Sequence, residues 1–176
     1  MNLDKQVRDL ERKLNKISKI ETARAYASAI NKTAKLARTQ VVRQVAKERK
    51  LPVRSVSKRV YIRRATSNRG YALISLYAKP VNAINTNFST QKKGFKVAGK
   101  VVPRSFFAKS KGFGRHYIFQ RKGYARLPID MVTVPISDVL KRVSLPIIKD
   151  KMRTDFERLI KTEFNARIKG YVTRRS

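Results

Sequence analysis

The chain has 176 residues and a mass of 20.3 kDa, and its 41% hydrophobic content suffices for a folded core and rules out a wholly disordered basic tail. Its 43 Lys and Arg stand against 11 Asp and Glu, a formal net charge of +32, far beyond the roughly 2–8 charges that solubility asks of a small domain. The absence of cysteine excludes disulfides, thiolate metal sites and cysteine nucleophiles, and no apolar run approaches the about 20 residues of a spanning helix, so the expectation is a soluble chain with no membrane contact.

Leu3, Val7, Leu10, Leu14 and Ile17 recur at alternating spacings of four and three, a narrow apolar seam on a helix. The seam is too short for a coiled coil, and packing onto its own domain or a neighbour is the plainer reading. Ser18 and Glu21 form a capping-box pattern that predicts a break. A second helix, about Lys19 to Arg49, follows, with Tyr26, Ile30, Ala34, Ala37, Val41 and Val45 as its buried stripe. Pro52 ends it or opens a short helical turn through Ser57.

From Val60 the texture changes to strands. Tyr61–Arg64 and Tyr71–Tyr77 read as a pair joined around Asn68-Arg69-Gly70. Residues 80–93 read as a polar loop with little core content. Phe95–Ala98, Val101–Val102, Phe106–Lys109 and His116–Arg121 follow as short strands punctuated by Gly99-Lys100, Gly112–Gly114 and Gly123, a meander of antiparallel hairpins. Asp130–Pro135 leads into a helix over Ile136–Val143. Pro146 suits the first turn of another, whose apolar face is Ile148, Met152, Phe156, Leu159, Ile160, Phe164 and Ile168, with Gly170 as its stop. The fold class is α+β: long N-terminal helices, a central antiparallel β-meander and a C-terminal helix. The expected division is a helical region 1–59, a basic β region 60–135 and a helical region 136–176, together one domain with a helical arm.

Charge is unevenly placed along this order. Between Glu48 and Asp130 there is no acid, while 20 Lys and Arg fall there. Catalysis finds few footholds in that stretch, which offers no carboxylate as base or metal ligand. His116 is the single histidine and reads as structural, and Asp130 reads as the partner of Arg126 or another local base. The glycines near Lys93–Lys96 and Lys111–Arg115 lack the Gly-Lys-Ser/Thr of a phosphate-binding loop. No cofactor or metal is expected, and the chain reads as no enzyme. Aromatics interleave with the bases at Tyr61, Tyr71, Tyr77, Phe88, Phe95, Phe106, Phe107, Phe113, Tyr117, Phe119 and Tyr124. Core packing is the plainer account of them, and base stacking the sharper one. The working surface expected from charge alone is Arg63, Arg64, Arg69, Lys92, Lys93, Lys96, Lys100, Arg115, Arg121 and Lys122, facing nucleic-acid phosphates or acidic protein.

Two stretches carry a resemblance. Residues 29–46, from Ala29-Ile30-Asn31-Lys32-Thr33 to Arg43-Gln44-Val45-Ala46, and Val56-Ser57-Lys58-Arg59-Val60 resemble the N-terminal signature of the lambda-type minor tail protein Z family, the tail completion proteins of phages with long non-contractile tails. Phe106-Phe107-Ala108, a glycine turn, His116-Tyr117-Ile118-Phe119-Gln120-Arg121, Gly123, Arg126-Leu127-Pro128-Ile129 and Val134-Pro135 continue the pattern in order, and Arg104-Ser105 departs from it where a Pro-Gly pair is expected. The resemblance implies a virion component at the head-proximal end of the tail, assembled in the host cytoplasm, which helps join tail to head and set the DNA end for delivery. It also implies a homo-oligomeric ring of six-fold order. Its partners would be the tail terminator protein, the tail tube protein and the head-tail connector proteins, with phage DNA met by phosphate contact. The alternative is a free basic nucleic-acid-binding protein of ribosomal or nucleoid type.

Overall fold

The computed structural model describes the backbone of residues 3–110 and 114–173 and the side chains of residues 19–110 and 114–167. The side chains of the N-terminal seam, Phe113, Gly112 and the Ile168 side chain therefore lie outside the described residues. The fold is α+β, as expected. Helix α1 spans Leu3–Glu48 and α2 Val53–Ser57. The strands are β1 Val60–Arg63, β2 Leu73–Leu76, β3 Val81–Asn82, β4 Phe88–Gln91, β5 Gly94–Val97, β6 Lys100–Pro103, β7 Ser105–Lys109, β8 His116–Arg121, β9 Ile129–Met131 and β10 Thr133–Val134. Helices α3, Ser137–Thr154, and α4, Phe156–Thr173, complete the chain, and a 3-10 turn covers Ala83–Asn85.

Four helix boundaries differ from the sequence reading, one of them a break at Asp155 that divides the expected C-terminal helix into α3 and α4. The break at Ser18 does not occur, because α1 runs through it. No glycine or proline lies between residues 3 and 48 to force the chain out of helix, and Glu21 turns instead to Arg24 and Arg167. Pro146 lies inside α3 rather than opening a helix. Its ring is on an exposed position, where the single intrahelical bond it forgoes, to the Arg142 carbonyl, is tolerable. Gly170 does not stop α4, which continues to Thr173. Pro52 behaves as expected, lying between α1 and the short α2.

The strands form four small sheets. β1 pairs with β2, β3 with β10, β4–β5–β6 make one three-stranded sheet and β7–β8–β9 another. Two-residue turns set the registers of the middle sheet. Ala98 and Gly99, at φ +49 and +83, join β5 to β6, the doubly left-handed geometry that suits strand twist. Lys92 and Lys93 join β4 to β5, leading into Gly94 at φ +138. Strands β9 and β10, unforeseen from sequence, come from the segment 129–134: Val134 pairs with Val81 and Met131 with Phe119. Residues 80–93 are correspondingly not a coreless loop. Val81, Ala83 and Thr86 are buried there, because β3 and the 3-10 turn pack under the hairpins.

The chain divides into two compact units, one of residues 1–38, 62–74 and 148–176 and the other of residues 39–61 and 75–147. In the first, the core is alanine-rich: Ala27, Ile30 and Ala65 are buried together, with Ala72 and Phe156 against them. Asn31 fastens this unit. Its amide donates to the Ala65 carbonyl at 2.9 Å, and its carbonyl accepts from the Ala65 N–H at 2.8 Å. Phe156 meets Tyr26 edge-on at 5.5 Å, and Lys32 pairs with Glu163. In the second unit Ala83, Val97 and Ile118 form a core cluster beneath Phe95, Val102, Val132 and Val134. Val41, Val45, Val56, Val60, Ile136 and Leu140 are buried as well. Glu48 pairs with Arg142, and Asp138 with Arg49, tying the end of α1 to the start of α3. Among the described residues, every fully buried hydrophobic is Ala, Val, Ile or Leu. None of the described aromatics expected in the core is fully buried.

Candidate polyanion-facing surface

Strand and turn geometry, rather than helix, holds most of the candidate cations. Lys92 and Lys93 form the tip of the β4–β5 hairpin, Lys96 projects from β5, and Lys100 opens β6 directly after the Ala98-Gly99 turn. Tight turns of this kind push side chains into solvent, and all four are exposed. Gly94 fixes the tip. A Cβ there would sit 2.3 Å from the Val102 carbonyl oxygen and 2.8 Å from the Ser105 hydroxyl, so that position accepts glycine alone. Ser105 Oγ in turn accepts from the Phe95 N–H at 2.7 Å and donates to the Val102 carbonyl at 2.6 Å, locking the hairpin to β7.

The other candidates have more particular surroundings. Arg115 precedes β8 and is exposed. Arg121 ends β8 with its guanidinium 5.3 Å from the centre of the Phe106 ring. Lys122 pairs with Asp130 at 2.8 Å, so the local base that answers this acid is Lys122 rather than Arg126. Both are more than half exposed, and such a pair is worth at most about 1 kcal/mol. In the first unit Arg63 and Arg64 follow one another out of β1 and are exposed. Arg69 is half-buried: its guanidinium donates to the Arg64 carbonyl and lies 5.7 Å from the Tyr71 ring centre. Its own N–H reaches Thr66 at 3.1 Å, which makes Arg69 the staple of the turn between β1 and β2. Three of the ten candidates thus belong to the first unit and seven to the second.

Among the described residues, seven of the eight acids are engaged internally and Asp150 is the exception. Glu21, Glu48, Asp130, Asp138, Asp155, Glu157 and Glu163 each hold an ion pair. The Arg24 hydrogen bond holds the Glu21 carboxyl below its ordinary range, Arg49 does so for Asp138, Lys151 for Asp155, Lys161 for Glu157 and Lys32 for Glu163. These carboxylates are committed to holding helices together. Apart from Asp130 beside Lys122, the positive field of the hairpins meets no carboxylate among the strands and turns described.

Structure adds cations that the sequence reading passed over as ordinary helix. Lys32, Lys35 and Arg38 recur at three-residue spacing on α1 and line a cleft of about 500 Å³ with Ser28, Asn31, Ile62 and Arg64. The two Asn31–Ala65 hydrogen bonds seat the chain on α1 immediately beside Arg64. In the second unit Arg54, Lys58 and Arg59 line a cleft of about 410 Å³ with Ser55 and Asn85, and its lining holds no carboxylate. The three-residue periodicity of residues 32, 35 and 38, beside the buried stripe, was the available signal. In each unit taken by itself, exposed cations and a cationic cleft offer positive charge to phosphates or carboxylates.

Comparison with known proteins agrees with the resemblance. The family described as prophage minor tail protein Z matches residues 4–174. The chain is 32% identical over 135 residues to the tail completion protein of Escherichia phage N15, covering 70% of this chain and 73% of that protein. No solved structure matches it. With nearly the whole chain matched in order, this protein belongs to the minor tail protein Z family of phage tail proteins.

Proposed function

We propose that the chain is a structural, non-enzymatic tail completion protein at the head-proximal end of a long non-contractile tail. There it helps join tail to head and positions the DNA end for delivery. In this reading it acts as a homo-oligomeric ring of six-fold order, beside the tail terminator, tail tube and connector proteins. Family membership supports the tail role, and the name of the N15 relative supports completion. The observation that carries the DNA part is the 81-residue stretch with 20 cations and no acid, much of it set on exposed hairpin turns. A field of that sign releases counterions from phosphates whatever the sequence, which is what a passage for a genome requires. The alternative of a free ribosomal or nucleoid-type protein shares the charge but has no support from the family match.

The test is binding of the assembled protein to duplex DNA across a salt series, read by fluorescence anisotropy. Affinity should fall log-linearly with salt, by a slope of about 0.9 per phosphate contacted. Replacing the hairpin cations together, Lys92→Glu, Lys93→Glu and Lys96→Glu, should reduce that slope by about 2 to 3. A salt-insensitive response of the assembled protein overturns the DNA part and leaves docking on acidic neighbours in place.

A further inference from the structure

The β7–β8–β9 sheet has two faces of different character. In an antiparallel sheet, directly opposed residues share a face. On one face Phe107 opposes Ile118; Ile118 is 1% exposed within the core cluster of Ala83 and Val97, while Phe107 lies outside that cluster and is 48% exposed. On the other, Phe106 opposes Phe119, Phe119 opposes Met131, and Arg121 opposes Ile129, with Tyr117 next along β8. Its rings touch one another, Phe106 to Phe119 at 6.0 Å and Tyr117 to Phe119 at 6.3 Å, and Arg121 lies over Phe106. Yet none of these side chains is fully buried, and Ile129 is 39% exposed. The loop between β8 and β9 adds Tyr124, 93% exposed under the Arg104 guanidinium, and Leu127, 67% exposed.

A sheet with one face on the core normally turns polar residues to water on the other. The face away from Ile118 instead carries partly exposed aromatics and one exposed arginine, the composition that dominates protein interface cores. An apolar face of this kind gains little against the phosphates of a duplex. A second copy of the chain is a poor occupant, because it brings the same excess of cations to a sheet whose ends already carry Arg104, Lys109, Arg115 and Lys122. The one acid in the three strands, Asp130, opposes Gln120 on the Ile118 side.

We infer that the outward face of the β7–β8–β9 sheet, centred on Phe119 and Arg121, docks a different protein whose apolar patch is bordered by Asp and Glu. The inference rests on the chain being a virion component, and its test separates the two. Phage is grown with Tyr117→p-benzoyl-phenylalanine, and in parallel with Phe107→p-benzoyl-phenylalanine on the opposite face. Purified particles are irradiated, and the joined peptides are identified by mass spectrometry. The Tyr117 probe should join one other virion chain at a stretch containing Asp or Glu, and the Phe107 probe should not join it. Adding Arg121→Glu should lower that yield by about tenfold. Attachment to a second copy or to DNA, equal yields from both faces, or no attachment while immunoblotting finds the chain in particles overturns the docking inference alone. Absence of the unaltered chain from wild-type particles overturns the tail reading as well.

Discussion

The two units solve the same electrostatic problem in different ways. The unit of residues 1–38, 62–74 and 148–176 carries 22 Lys and Arg against 8 Asp and Glu, and it uses ion pairs along and between helices to moderate them. The unit of residues 39–61 and 75–147 carries 21 against 3, with each of those three acids already engaged by one base. Its core is built from Val, Ile, Leu and Ala, and none of its described aromatics is fully buried. Where one unit invests carboxylates in holding itself together, the other leaves cations and rings outward.

The comparison breaks most readily at Gly94. Gly94→Ala places a side chain at φ +138 and drives it against the Val102 carbonyl, and should cost about 3 kcal/mol or more in urea unfolding. Amide exchange should quicken across β4–β7 while residues 19–37 of α1 keep their protection. Equal acceleration in both places would show that the units do not act as separate bodies. A smaller effect is expected from Asn31→Ala in the first unit. Losing both hydrogen bonds to Ala65 should cost about 1–2 kcal/mol and loosen the approach to Arg64, with the hairpins unaffected.

Legibility in the sequence followed the length of the physical signal. The alanine stripe of α1 and the four hairpin strands from Phe95 to Arg121 were readable because periodicity and glycine turns are local. Strands β9 and β10 were not, since Ile129–Met131 and Thr133–Val134 become strands only through partners such as Phe119 and Val81, distant in sequence. Ser18 misled because a capping box marks a helix start only when the chain has already left the helix. At the candidate surface, the acid-free stretch was visible by inspection. What could not be read was which members of it serve the fold: Arg69 staples a turn, and Lys122 answers Asp130. The aromatics misled for a related reason. Alternation puts Tyr117 and Phe119 on one face of β8, but neither their register with Phe106 nor the burial of the Ile118 face is written in it.

The finest test of the contrast is pH. Glu163 is held below its ordinary carboxyl range by the Lys32 hydrogen bond, opposed by partial burial and aided by Ser28. A depressed folded value means that the pair's contribution is complete above the unfolded pKa of about 4.3 and fades as pH falls through the folded one. Lys32 is more than half exposed, so the contribution at neutral pH is within about 1 kcal/mol. Glu163→Gln should therefore lower stability by that amount from pH 5 upward, by roughly constant measure, and the two proteins should converge in urea titrations as pH drops toward 3. A gap that persists undiminished at low pH would mean that Glu163 works through packing and not through charge. The ion pairs would then no longer explain how the first unit carries its cations.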